Sequence, residues 1–178
     1  MPSRSSAYLD LRDLTLRGGE HFERDYPLEM APIILGGQRY DVLLPEGVTV
    51  TVDRVAGGSL VAVSTDATVY GPCSRCLREV VFKLRAEEQE FVPTSKEGWD
   101  VADLSAFVDD MVVDVSGIAQ EAVVLGLPTL IVCREECPGL CSVCGKDLNE
   151  GPCGCPPLEL DHRWAKLKDF AGDAPVSP

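Results

Sequence analysis

The residues able to do chemistry in this chain are cysteines. Four of them fall in the run Cys133-Arg-Glu-Glu-Cys137-Pro-Gly-Leu-Cys141-Ser-Val-Cys144-Gly145, and another two follow as Cys153-Gly-Cys155. Two more stand upstream as Cys73-Ser-Arg-Cys76. Cys141 to Cys144 with Gly145 has the form of a zinc knuckle, in which two thiolates hold one ion and the glycine lets the backbone curl until its amides face the sulfurs. Tetrahedral Zn2+ takes four ligands, so four of Cys133, Cys137, Cys141, Cys144, Cys153 and Cys155 are expected to form a structural site. Spacing leaves the partners of Cys141 and Cys144 open: Cys153 with Cys155, Cys133 with Cys137, or one thiol from each pair. Cys73 and Cys76 add a second four-thiolate site if their turn folds against the C-terminal cluster. Pro, Gly, Asn and charged neighbours speak against small buried core cysteines, which need apolar surroundings.

Thiol redox chemistry or zinc sensing at Cys73 and Cys76 is the competing reading. A thioredoxin-type pair sits beside a βαβ unit, where a helix N-terminus lowers the pKa of the attacking thiol. Here the pair joins two strands, which leaves Arg75 and Arg78 as the groups able to stabilise a thiolate. Hydrolytic catalysis has less support. His21 and His162 are the only histidines, and neither lies in an HExxH or beside a GxSxG. His21 follows Gly18-Gly19-Glu20 and reads as a loop residue. No Walker A or GxGxxG sequence occurs, so neither an enzyme nor a small-molecule substrate is expected.

These cysteines must be positioned by the elements around them. Val48, Val50 and Val52 alternate with polar residues, and Val61, Val63, Ala67 and Val69 keep the same two-residue period. Ala56-Gly57-Gly58-Ser59 between them signals the turn of an antiparallel hairpin. Tyr40, Val42 and Leu44 form a shorter run, and after Cys76 alternation resumes with Val80, Phe82, Leu84 and Ala86. From Asp114 the period becomes helical through Val115, Ile118, Ala119, Ala122 and Val123, with Asp114 or Ser116 as N-cap and Gly126 and Pro128 as the stop. The expected class is α+β: an antiparallel β-rich body, curled into an open barrel or a sandwich, with one or two helices and a C-terminal Cys-rich zinc-binding module. The divisions are a body over 1–130 with a helix at 114–127, a zinc-knuckle module at 131–157, a short C-terminal helix at 158–171 and a disordered tail at 172–178. In the last helix Trp164, Leu167 and Phe170 share a face.

Charge and hydropathy bear on partners and place. The most apolar stretch, Ala122 to Cys133, is broken by Gly126 and Pro128 and falls short of the roughly 20 residues a spanning helix needs. The N-terminus lacks the apolar centre of a secretory signal, so a cytoplasmic protein is expected, in a compartment where thiols stay reduced. The formal net charge is -13, the reverse of the basic excess that phosphate neutralisation usually requires. Locally, Arg75, Arg78, Lys83 and Arg85 face only Glu79, which makes them the candidate RNA-binding patch. Asp109, Asp110, Asp114, Glu135 and Glu136 could instead meet a basic protein.

The chain resembles the YceD-like large ribosomal RNA subunit accumulation proteins, in the Cys-rich branch of Gram-positive bacteria and actinobacteria. The resemblance rests on Leu11-Arg-Asp-Leu14, Cys73-Ser-Arg-Cys-Leu77, Gly126-Leu-Pro128, the run Cys133 to Cys155 with Gly139-Leu-Cys141 and Leu148-Asn149, and Asp161-His-Arg-Trp-Ala-Lys-Leu167, in family order. It implies a non-enzymatic ribosome biogenesis factor that supports accumulation or processing of large-subunit ribosomal RNA. Its partner would be that RNA or the precursor particle, met directly or through a basic ribosomal protein or assembly factor. Ser142 and His162 stand where this family often has proline.

Overall fold

Every second residue along 48–52 is a valine and along 61–69 is apolar or Thr65. The computed structural model, which describes residues 7–156 and Arg163, turns that alternation into one face of an antiparallel sheet. The strands are β1 (Tyr8–Asp10), β2 (His21–Tyr26), β3 (Ile33–Leu35), β4 (Gln38–Leu43), β5 (Val48–Val55), β6 (Gly58–Pro72), β7 (Glu79–Pro93), β8 (Val108–Asp109) and β9 (Val112–Asp114), followed by helix α1 (Val115–Gly126). The main sheet runs β2-β5-β6-β4-β3, with β7 on the other edge of β6. At 15 residues, β6 is long enough to carry β5 along its first half and β4 along its second. Its opposite edge pairs with β7 from Gly58↔Pro93 to Pro72↔Glu79. The fold is therefore strand-rich and antiparallel with one helix among the described residues, as the α+β expectation has it. The expected C-terminal helix at 158–171 and the tail at 172–178 lie outside the described residues, Arg163 apart.

The buried face of the sheet meets α1, which lies against β6 and β7. One apolar cluster joins Val50, Val52, Val61, Val63, Val113, Val115 and Ile118; the next joins Tyr40, Val42, Ala67, Val69, Ala86, Ala122, Val123 and Ile131. The helix thus spans both clusters, with Ile118 and Ala119 in the first and Ala122 and Val123 in the second. Asp114 is its N-cap, accepting from the Gly117 amide at 3.0 Å. The far end of this core delivers the first cysteine. The Tyr40 ring lies over Gly71, where a Cβ would overlap it, and the Tyr40 hydroxyl donates to the Pro72 carbonyl at 2.9 Å. That contact fixes the point at which the chain leaves β6 for Cys73.

One feature departs from the sequence reading. His21 is not in a loop: it begins edge strand β2, opposite Asp53. β1 pairs with β9, and β9 with β8, in a separate three-stranded sheet. His21 Nδ1 lies 2.8 Å from Asp53 Oδ1, and this hydrogen bond raises the imidazole above its usual 6.5. A pKa raised by folding contributes stability that is complete below the unfolded value and fades as pH rises through the folded one. His21→Gln is therefore expected to lower the melting temperature most below about pH 6, with the gap from wild type closing toward about pH 8. Melting curves at the two pH values check this. Among the described residues, no helix is long and apolar enough to cross a membrane.

Candidate metal centre

Both Cys-x-x-Cys turns close with the same hydrogen bonds. The amide of Cys73 donates to the Arg78 carbonyl at 2.7 Å and that of Cys141 to the Lys146 carbonyl at 2.8 Å. The Leu77 and Gly145 amides return to the carbonyls of Cys73 and Cys141 at 3.0 and 2.8 Å. The Arg75 and Val143 amides point at the Cys73 and Cys141 sulfurs, each at 3.4 Å. Leu77 and Gly145 sit in the left-handed region, at φ 62° and 74°. Glycine fills this position in one knuckle, and Leu77 takes it in the other. A left-handed leucine costs about 1–2 kcal/mol, and this one is 55% exposed, so its side chain packs little. Leu77→Gly is expected to stabilise the chain by up to about 1 kcal/mol, because the extra freedom of glycine when unfolded offsets part of the relief. A urea unfolding midpoint reads the sign; a decrease would mean that the leucine side chain packs.

The knuckles gather two sulfur groups. Cys73, Cys76, Cys133 and Cys137 form the inner group and Cys141, Cys144, Cys153 and Cys155 the outer, with the four sulfurs of each within 4.8 Å of one another. The six C-terminal cysteines are thus divided, and the β6–β7 turn supplies the partners of Cys133 and Cys137. Cys73 and Cys137 sulfurs lie 3.9 Å apart, Cys76 and Cys133 3.6 Å, and Cys141 and Cys153 3.3 Å. None of the eight is in a disulfide. With metal–sulfur bonds of about 2.3 Å, a tetrahedron of thiolates has edges of roughly 3.8 Å, so both groups fit such an ion. The inner group is largely buried, Cys133 apart, while the outer is half-buried to exposed.

Electrostatics point the same way. Shielding from water opposes ionisation of Cys73, but the amides of Cys76, Arg75 and Cys133 outweigh it and draw the thiol down to about 6. Amides of Cys144 and Val143, helped by the Cys153 thiol, bring Cys141 to about 6 as well. Within the same groups Cys133 and Cys155 are pushed up to about 12. For Cys133 the leading cause is shielding of its sulfur, although the residue as a whole is exposed, followed by the Cys137, Cys76 and Cys73 thiols. For Cys155 the Cys144 and Cys153 thiols come first. Four clustered thiolates repel one another, and a cation among them removes that penalty.

Side chains around the turns hold the C-terminal segment to the body. Ser74 donates its amide and hydroxyl to the Ile131 carbonyl, at 2.8 and 2.9 Å. The Arg75 guanidinium donates to the Cys137 carbonyl at 3.0 Å, and Arg78 pairs with Asp147 at 2.5 Å, lowering that carboxyl to about 2. Arg85 pairs with Glu87 at 2.7 Å on the outer face of β7, which exposed Lys83 shares. Of the four cations singled out in the sequence, Arg75 and Arg78 therefore have structural partners at the cysteine turns, and Lys83 and Arg85 face outward. Asp109, Asp110, Glu135 and Glu136 are exposed. Sequence reasoning missed Asn149, whose side-chain amide lies 3.5 Å from the Cys137 sulfur; its place beside Leu148 in the family-like motif was the available signal.

Comparison with known proteins adds a lineage. The family described as "Large ribosomal RNA subunit accumulation protein YceD" matches residues 61–171. The uncharacterized proteins Mb2951c of Mycobacterium bovis and Rv2926c of Mycobacterium tuberculosis are each 35% identical over 124 residues, which is 68% of this chain and 59% of theirs. The uncharacterized protein ML1660 of Mycobacterium leprae is 32% identical over 135 residues, 74% of this chain and 62% of its own. These alignments span about three fifths of the length of the curated relatives. No solved structure matches.

Proposed function

The chain belongs to the family of large ribosomal RNA subunit accumulation protein YceD, and from that premise we propose that it is a non-enzymatic ribosome biogenesis factor held in shape by two structural zinc ions. The observation that carries this reading is that the matched region, residues 61–171, contains all eight cysteines. Zinc is the favoured ion because all-thiolate tetrahedral sites with no open position are the structural zinc pattern. In each site the four thiolates would supply the whole coordination shell, leaving no position for substrate. The zinc contributes folding energy there and no catalytic step.

In this reading residues 7–130 are a body, and residues 131–156 are a module fastened to the end of the β6–β7 hairpin. Work is done by contact with large-subunit ribosomal RNA or its precursor particle in the cytoplasm. Lys83 is the patch residue open to phosphate, Arg85 beside it would exchange its Glu87 partner for one, and Arg75 and Arg78 shape the adjoining turn. The acidic remainder limits non-specific RNA binding and suits a basic ribosomal protein. Burial of Cys73 and Cys76, at 0% and 4% exposure, weighs against a thiol redox role, which needs an accessible sulfur.

The test is the ratio of large- to small-subunit ribosomal RNA in cells lacking the protein. The ratio is expected to fall and to recover with the wild-type chain but not with Cys137→Ser; an unchanged ratio contradicts the proposal. Capture of assembly particles before and after ribonuclease then separates an RNA contact, lost on digestion, from a protein contact, which survives it.

A further inference from the structure

The loop between the outer group's two cysteine pairs turns back onto the inner group. The amide of Leu148 donates to the Gly139 carbonyl at 2.9 Å, and that of Leu140 to the Arg75 carbonyl, inside the inner knuckle, at 3.2 Å. Asp147 Oδ2 holds Arg78, whose own carbonyl closes the Cys73 turn. Asp147 Oδ1 accepts from the amide and from the side-chain Nδ2 of Asn149, at 2.8 and 2.7 Å. The same Nδ2 lies 3.5 Å from Cys137 Sγ. Its two hydrogens are thus directed at a carboxylate and at a ligand sulfur of the other site. Reversing the amide would set its oxygen against both acceptors, so the orientation follows from the partners. Among the described residues, Asn149 Oδ1 is buried without a hydrogen-bond partner. Burying an unsatisfied carbonyl is unfavourable, and a charge-assisted bond from Nδ2 to a Cys137 thiolate is the compensation the geometry offers.

We propose that Asn149 couples the two metal sites: an ion on Cys141, Cys144, Cys153 and Cys155 orders the loop that places Nδ2 on Cys137, so a filled outer site tightens the inner one. This rests on the reading that both groups bind metal. Asn149 is a positioning residue that acts through the Cys137 ligand. Hydrogen bonds of this kind to a metal ligand typically change metal affinity by 10- to 100-fold when removed. Coupling is reciprocal, so an occupied inner site tightens the outer by the same factor.

The experiment is a zinc titration of the full-length chain against a chromophoric chelator, on wild type, Asn149→Ala, the outer-site double variant Cys144→Ser with Cys155→Ser, and the combination. Circular dichroism confirms that each retains its sheet. Wild type should bind two zinc ions. The inner ion should be held about 10-fold or more weaker in Asn149→Ala and in the outer-site variant, with no further loss when the changes are combined. If Asn149 only braced its own loop, Asn149→Ala would weaken the outer site and leave the inner one unchanged, which overturns the proposal. Two independent sites in wild type, or effects that simply add, also overturn it while leaving the metal reading intact. Absence of zinc binding in wild type removes both.

Discussion

Stripping metal from the full-length chain is expected to release residues 131–156 from the body while the main sheet stays folded. Among the described residues of that segment only Ile131 and Cys137 are buried and apolar, with Val132 and Leu140 packed partly against them. Complete burial of an aliphatic side chain contributes about 1.5–3 kcal/mol, whereas fixing one residue's backbone costs roughly 1–2 kcal/mol. A few such side chains cannot order a segment of this length. Structural zinc, at about 10–16 kcal/mol in small zinc-binding peptides, can. Trypsin should therefore cut at Arg134 and Lys146 at least about 10-fold faster after chelation, since cleavage follows the open population. Arg54 and Arg85, within the sheet, should keep their protection. The hydrogen bonds of Ser74 and Arg75 to this segment become transient without the metal. Equal protection with and without chelator would mean that packing alone orders the module.

Ile118→Ala is expected to damage the body instead. Ile118 is fully buried, on the helix face that lies against β6 and β7 and in the cluster with Val50, Val61, Val63 and Val113. Removing a large aliphatic side chain from such a position loses its transfer energy and leaves a cavity, for about 2–5 kcal/mol. In a chain of this size that lowers the melting temperature by very roughly 5–15 °C. Zinc content below the transition should not change, because the cysteine turns lie beyond the second apolar cluster. A loss under about 1 kcal/mol would mean that the helix packs against the sheet less tightly than its burial indicates.

The parts of the fold legible in the sequence are those in which one strand or helix carries its own pattern. Val48 to Val52 and Val61 to Val69 alternate because one face is buried, so the β5–β6 hairpin could be read directly. The stripe from Val115 to Val123 and its Asp114 cap gave the helix the same clarity. β2 could not be read so: of its residues only Phe22 and Tyr26 are half-buried, and the rest are exposed on an edge strand. The β1-β9-β8 sheet was hidden for a different reason, since its strands are two or three residues long and the pairing Tyr8↔Asp114 joins distant parts of the chain. The sulfurs followed the same rule. Their number and turns are local and were legible, but the assignment of Cys133 and Cys137 to the β6–β7 turn depends on Ser74 reaching Ile131, and no local spacing encodes that. Asn149 escaped notice because its role arises only where two loops meet.

The two four-thiolate centres are tested most directly by elemental analysis of untagged protein, with thiols counted before and after denaturation in chelator. Two zinc ions per chain, with all eight thiols slow to react until chelator is added, is the expected result. A chain free of metal whose thiols react at once would contradict it.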